Sequence, residues 1–174
     1  YIARGAQTLG LQWDANARAA LSEVYDGRPN CNYCSNCNRG CPRTDKGSVD
    51  VTFLRKAEAS GQCTVRTGVA VTRIEAGAED RVKGVHLVNT EGAHELIETP
   101  KLIVACGAVE TPRLLLASAN RYAPDGLANE SGQVGRNLME TLAWSSSALH
   151  SDNLGSYRGL PATVFVGITM LRMR

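Results

Sequence analysis

A chain of 174 residues, 43% of them hydrophobic, has room for one ordinary core or for a piece of a larger one. Its 19 basic and 17 acidic residues leave a formal charge of +2, too small and too dispersed for a nucleic-acid stripe or a membrane-binding patch. No apolar run approaches the roughly 20 residues that span a bilayer, and the opening YIARGAQTLGLQW lacks a charged region followed by an apolar one, so no nucleic-acid partner, transmembrane segment or signal peptide is expected.

Asp14 predicts the N-cap of a helix through ANARAALSEVY, in which Ala17, Ala20, Leu21 and Val24 form an apolar stripe and Gly27 with Pro29 ends it. CNYCSNCNRGCP follows at 31–42 and holds four of the six cysteines, too close together to staple distant segments. Cys63 and Cys106 read as buried single thiols. Ser48 predicts the cap of a second, short helix with Val51, Leu54 and Ala57 on one face and Gly61 past its end.

From 63 to 99 the pattern changes to β-branched runs, CTVRTG, VAVTRIEA, RVKGVHLVN and HELIET, separated by turn-prone GAED and NTEG. Consecutive antiparallel pairing is expected. KLIVA at 101–105 is a nearly continuous apolar run, the pattern of a strand covered on both faces in a parallel sheet. CGAVETPRLLLASAN then turns into a helix, with Thr111 expected as N-cap, Pro112 in the first helical position and Leu114, Leu115 and Leu116 packing inward. Ligands of open α/β sheets bind at the carboxyl ends of strands, which makes Gly107 a candidate contact.

Past residue 120 the chain becomes loop-rich, and a boundary is expected near residue 140. LAWSSSALH and LPATVFVGITML read as strands that begin another unit. The chain opens without methionine and stops in a strand-like apolar stretch, so it reads as an internal fragment. No GxGxxG follows a strand, and GQVG at 132–135 lacks the preceding strand that would make it a phosphate cradle. His150, Ser151 and Asp152 read as a solvated loop rather than a triad, and His86 and His94 as exposed or satisfied strand histidines.

KLIVACGAVETPRLLLAS resembles the second signature of the glucose-methanol-choline oxidoreductases at Gly107, Ala108, Thr111, Pro112, Leu115 and Leu116. VGRNLMET is similar to that family's glycine-x-asparagine-leucine segment, TVRTGVAVTRIEA to its strand near the flavin adenine, and GCPRTDKGSVDVTFLRKA to the approach to that strand. These pieces span about residues 30 to 142 in the family's order. The close of the signature departs at Ala119 and Asn120, and Thr141 stands where a histidine is usual.

The resemblance implies a flavoenzyme that binds FAD and oxidises the CH–OH group of an alcohol or sugar by hydride transfer to the flavin. The fold expected is α/β, part of an FAD-binding Rossmann-like domain with an antiparallel β-meander at 1–140, and the start of a substrate domain at 141–174. Carried over by position, Val71 contacts adenine through its backbone, and Ala105, Cys106, Gly107 and Ala108 line the strand end beside the cofactor. The family's dinucleotide glycine motif is expected before Tyr1 and its catalytic histidine after Arg174, so no catalytic residue is expected within the chain.

The cysteine run leaves three readings open. C-x2-C-x2-C-x3-C-P has the spacing of the bacterial ferredoxin run, and thiolates suit iron, so Cys31, Cys34, Cys37 and Cys41 are candidate ligands of one iron-sulfur cluster. Reduced or disulfide-bonded structural thiols are the second reading and zinc the third. Arg39, Arg43 and Lys46 would offset the charge of a cluster and would equally depress thiol pKa values in an empty loop. The resemblance adds sugar dehydrogenases with a three-iron cluster on a cysteine-x5-cysteine-x3-cysteine pattern, matched by Cys31, Cys37 and Cys41, and long-chain alcohol oxidases with a similar loop. A cluster there implies an electron-transfer partner such as a cytochrome. The competing class is a small iron-sulfur or zinc-binding protein in which the loop is the functional element. Reduced thiols favour the cytoplasm, with a periplasmic or membrane-associated complex as the alternative.

Overall fold

The computed structural model describes residues 2–12, 18–78, 81–140 and 149–154. The chain divides into two compact units, Tyr1–Thr64 with Ser147–Arg174, and Val65–Ser146.

The second unit is built on three antiparallel strands, β1 (Val69–Ala76), β2 (Val82–Asn89) and β3 (His94–Glu98), paired in the order β1-β2-β3. This is the meander expected from the β-branched runs, except that CTVRTG at 63–68 forms no strand. The β2–β3 turn is held by Asn89, whose Oδ1 accepts from the N–H of Glu91 at 3.0 Å and of Ala93 at 2.8 Å. A register shift lies between Val71 and Arg73, which pair with Leu87 and His86. Val71 and Ile74 are three residues apart and strict alternation would send them to opposite faces; the extra residue, Thr72, returns both to the core face. The bulge is pinned by the Thr72 hydroxyl, which donates to the His86 carbonyl at 3.2 Å.

The core is one apolar cluster of Ile74, Ala76, Val85, Leu87, Leu114 and Leu127, with Val71, Leu102, Val104 and Leu115 packed around it. Helix α3 (Gly107–Ala117) supplies Leu114 and lies against β1. Of the three leucines expected inside, Leu114 is buried, Leu115 half-buried and Leu116 exposed. The helix begins earlier than expected: Cys106 occupies the N-cap position and Pro112 lies inside. Thr111 is therefore not the cap, although its hydroxyl reaches back to accept the Cys106 N–H at 3.1 Å and so satisfies one free donor of the helix start.

KLIVA at 101–105 is extended but pairs with no strand among the described residues. Leu102 and Val104 rest on the cluster, while Ile103 is 91% exposed. The expectation of a strand covered on both faces is corrected for this unit: only one face of the run meets apolar side chains. The loop-rich reading past 120 agrees with the absence of helix or strand over 120–140. The two strands expected beyond it, and the Thr141 departure, lie outside the described residues apart from 149–154, which form none.

In the first unit α1 (Ile2–Thr8) is followed, after the loop, by a π-helical turn (Asp50–Leu54) that continues into α2 (Arg55–Ala59). Val51, Leu54 and Ala57 share a half-buried face as expected, and Gly61 past the end is left-handed at φ +72°. Ser48 makes no side-chain cap; Val49 is the capping position. The helix expected from Asp14 is corrected over 18–28, and 14–17 lie outside the described residues. Backbone pairing outcompetes the apolar stripe there. Leu21 N–H donates to the Asp45 carbonyl at 3.2 Å, Gly47 N–H to Ala19 at 2.6 Å and Cys31 N–H to Leu21 at 2.8 Å, and Asp26-Gly27 forms a tight turn.

Three surface carboxylates are held below the usual range: Asp26 by Lys56 and Arg55, Glu75 by His86 and Arg73, and Glu95 by Arg66. Arg66 grips Glu95 with both arms, at 3.0 and 2.7 Å. A depressed folded-state pKa contributes stability above the unfolded-state value and loses it as pH falls through the folded one. Melting temperature is therefore expected to fall as pH drops below about 4, the ordinary carboxylate range. The fall should be shallower in Glu95→Gln; an identical pH profile in that variant would count against the Arg66 pairing.

Candidate functional site

The turn from the extended run into α3 gathers four of the expected cofactor positions. Ala105, Cys106, Gly107 and Ala108 are all exposed, and Gly107 has φ +82°, a conformation that favours glycine because a Cβ costs about 1–2 kcal/mol there. A Cβ added at Gly107 would meet nothing within 4 Å, so the backbone conformation, and not a lack of space, is what calls for glycine. Cys106 is exposed and not the buried thiol expected; Cys63 is half-buried. α3 leaves the N–H groups of its first turn pointing out of the turn, a polar edge that favours an anionic group.

Beside this edge is a cavity of about 570 Å³ lined by Ala108, Val109, Pro112, Arg113 and Leu116 of α3 and by the segment Gly135–Met139. The tertiary fold thus brings together the two stretches with family character, GAVETP and GRNLM, which lie more than twenty residues apart. The GRNLM residues were visible as a segment in the sequence but not as individual site positions. Asn137 holds a left-handed conformation, φ +56°, and its side chain donates to Gln133 at 3.2 Å, which braces the segment. Arg113 is drawn aside by Glu110 at 2.5 Å.

Val71 does not line that cavity. It sits half-buried on β1 and packs on the same cluster as Leu102 and Val104, so the strand and the extended run leading to Ala105 share one support. β1 is an edge strand, and its outward backbone groups are met in part by the end of α3. Ser118 Oγ accepts the Ile74 N–H at 2.8 Å and donates to the Leu114 carbonyl at 2.6 Å, and Asn120 Nδ2 donates to the Ala76 carbonyl at 3.5 Å. Ser118 is fully buried. Composition carried no sign of it, because a serine beside a helix end reads as solvated.

The cysteine loop is arranged differently from every ligand set proposed for it. All six cysteines are free; Cys31 is buried, Cys34 exposed, Cys37 and Cys41 half-buried. Among the described residues no three histidine, cysteine, aspartate or glutamate side chains are grouped so as to hold a metal ion. The physical reason lies in the backbone: left-handed residues at Tyr33, Ser35 and Gly40 turn the chain between successive cysteines. Two of the thiols are also engaged locally. Cys31 Sγ accepts the Tyr33 N–H at 3.3 Å, and Cys41 Sγ–H donates to the buried Asp45 carboxylate at 3.0 Å. The iron-sulfur reading of Cys31, Cys34, Cys37 and Cys41, and the zinc reading, find no support in this arrangement.

Comparison with known proteins decides the family. The profile of the GMC oxidoreductases matches residues 1–143. The chain belongs to the GMC oxidoreductase family. Membership implies FAD binding in a Rossmann-like domain, and the match reaches into both units and spans the whole of the site above. The fructose dehydrogenase large subunit of Gluconobacter japonicus is 33% identical over 134 residues, 76% of this chain and 24% of that protein. Paromamine 6'-oxidase of Streptomyces fradiae is 34% identical over 137 residues, 78% of this chain and 25% of that protein. A long-chain-alcohol oxidase of Arabidopsis thaliana is 28% identical over 141 residues, 79% of this chain and 17% of that protein. The chain thus spans about a quarter or less of the length of these relatives. Among the described residues no helix is long and apolar enough to cross a membrane.

Proposed function

We propose that this GMC chain forms part of the FAD-binding portion of an oxidoreductase that acts on the CH–OH group of an alcohol or sugar. One observation carries the reading: a left-handed glycine turn opens α3 beside a 570 Å³ cavity that the GRNLM segment completes. When bound, FAD supplies the acceptor for hydride from the substrate carbon. The residues present fit the group. The first turn of α3 from Gly107 and Ala108 offers unpaired N–H groups to a diphosphate, and Ala105 and Cys106 leave that edge open.

Val71 suits an adenine edge for a reason of strand geometry. The Ile74 N–H points away from β2, since Ser118 takes it, and Arg73 pairs with His86 on the next rung. Alternation across the bulge turns the Val71 backbone outward as well, toward the unpaired edge of β1. A rigid pair of neutral donor and acceptor groups there matches a base edge. The substrate domain is taken to begin at 141–174 of this chain, and the catalytic histidine is assigned to the rest of such an enzyme. No observation favours the cysteine loop as the functional element.

The test is the visible spectrum of the purified protein, where bound flavin gives two bands; a protein that carries no flavin and takes up none from added FAD overturns the proposal. Gly107→Ala is expected to weaken FAD binding roughly tenfold, the equivalent of about 1.4 kcal/mol of strain placed in the turn. Fluorescence titration with FAD reads this, and unchanged affinity would remove Gly107 from the site.

A further inference from the structure

In the first unit Arg28 is buried, only 6% exposed, on a turn that fixes it in place. Tyr25 and Arg28 exchange N–H···O bonds at 3.1 and 3.0 Å around Asp26 and Gly27, both left-handed, the conformation of an Asp-Gly hairpin turn. The Asp26 carboxylate receives Arg55 at 2.9 Å and Lys56 at 3.1 Å, which clamps the turn to the start of α2. The guanidinium itself is left short of partners. Its Nη1 donates to the Thr44 carbonyl at 3.2 Å, its Nε is buried without a partner, and among the described residues no carboxylate lies within 4.0 Å of it.

A buried cation without a counter-charge is costly, and here its free side opens to a cavity. Nε is the one side-chain nitrogen or oxygen among the described residues that is both buried and unpartnered, so Nη2, which makes no bond, reaches open space. Arg28 lines a cavity of about 290 Å³ whose walls include Thr44, Asp50, Arg55 and Glu58. Arg55 is already taken by Asp26. Asp50 and Glu58 have exposed side chains with no cation within 4.0 Å among the described residues.

We propose that this cavity binds a small hydroxycarboxylate, its carboxylate on Nη2 of Arg28 and its hydroxyls on Asp50 and Glu58. With Nη1 held by Thr44 and Nε buried, the open Nη2 is the donor left to one carboxylate oxygen, a charge-assisted hydrogen bond. The two wall carboxylates repel a doubly charged phosphate but accept hydrogen bonds from hydroxyls. The volume is at the bottom of the range of roughly 300–1,000 Å³ for small-molecule sites, which limits the ligand to a few carbons.

Calorimetry on the full chain with glycerate, propionate and inorganic phosphate tests this. Glycerate is expected to saturate, propionate, which lacks the hydroxyls, to bind at least tenfold more weakly, and phosphate to bind no tighter than propionate. Arg28→Gln should abolish glycerate binding. Because that change also removes the bond to Thr44, a second variant carries the test: Asp50→Asn with Glu58→Gln, at exposed positions, should erase the preference for glycerate over propionate and strengthen phosphate binding about tenfold. The proposal is overturned if glycerate does not saturate the unaltered chain, if propionate binds equally well, or if the double variant keeps the preference.

Discussion

Gly84→Ala is expected to destabilise the second unit by about 3 kcal/mol, the upper end of the cost of overpacking, because the added atom meets backbone and not a movable side chain. Gly84 is on β2 opposite Glu98, and a Cβ there would fall on the carbonyl oxygen of Ile97, with the Ile97 carbonyl carbon and Leu96 Cδ1 each at 3.1 Å. Relief requires β3 to move away from β2, which breaks the ladder that seats Val85 and Leu87 in the core. Gly5→Ala in α1 is the control: nothing stands within 4 Å of its Cβ, and alanine is the better helix former. Urea unfolding of both variants should separate them by several kcal/mol. A Gly84→Ala midpoint and slope equal to the parent would show that the β2–β3 register is not as described.

Ser118→Ala should cost about 2 kcal/mol, more than an ordinary hydrogen bond, since it strands a buried donor. The fully buried hydroxyl joins two elements: it takes the Ile74 N–H from the outer edge of β1 and returns its own proton to the Leu114 carbonyl one turn back in α3. Removing it leaves Ile74 N–H without its protein partner. Hydrogen exchange gives the sharper readout, because the Ile74 amide should exchange roughly thirtyfold faster, the equivalent of the same ~2 kcal/mol, while the β2–β3 amides change less. Uniform loosening of all three strands, or none at Ile74, would remove Ser118 from its role as the link between helix and strand. The consequence reaches the site, since this link sets how α3, with Gly107 at its other end, sits on β1.

The local sequence decided what depends on near neighbours. Alternating β-branched residues from Val69 to Glu98 specified the meander, because side chains two apart share a face and the Asn89 turn is closed by its own side chain. The glycine and proline of GAVETP marked a turn into a helix, and the family character of that stretch and of GRNLM was legible as residues alone. The same local reading failed wherever distant segments competed. ANARAALSEVY has a helical stripe, yet the Leu21 N–H goes to Asp45 and the Ala19 carbonyl to Gly47, partners that no window around it contains. Four cysteines in eleven positions have ligand spacing, yet left-handed residues turn the chain between them, and Cys31 and Cys41 bond to separate partners, the Tyr33 N–H and the Asp45 carboxylate. The bulge at Thr72, the burial of Ser118 and the meeting of GAVETP with GRNLM were likewise decided only in three dimensions. Each depends on which backbone donors and acceptors find one another across the fold, and a sequence states the number of such groups but not their pairing.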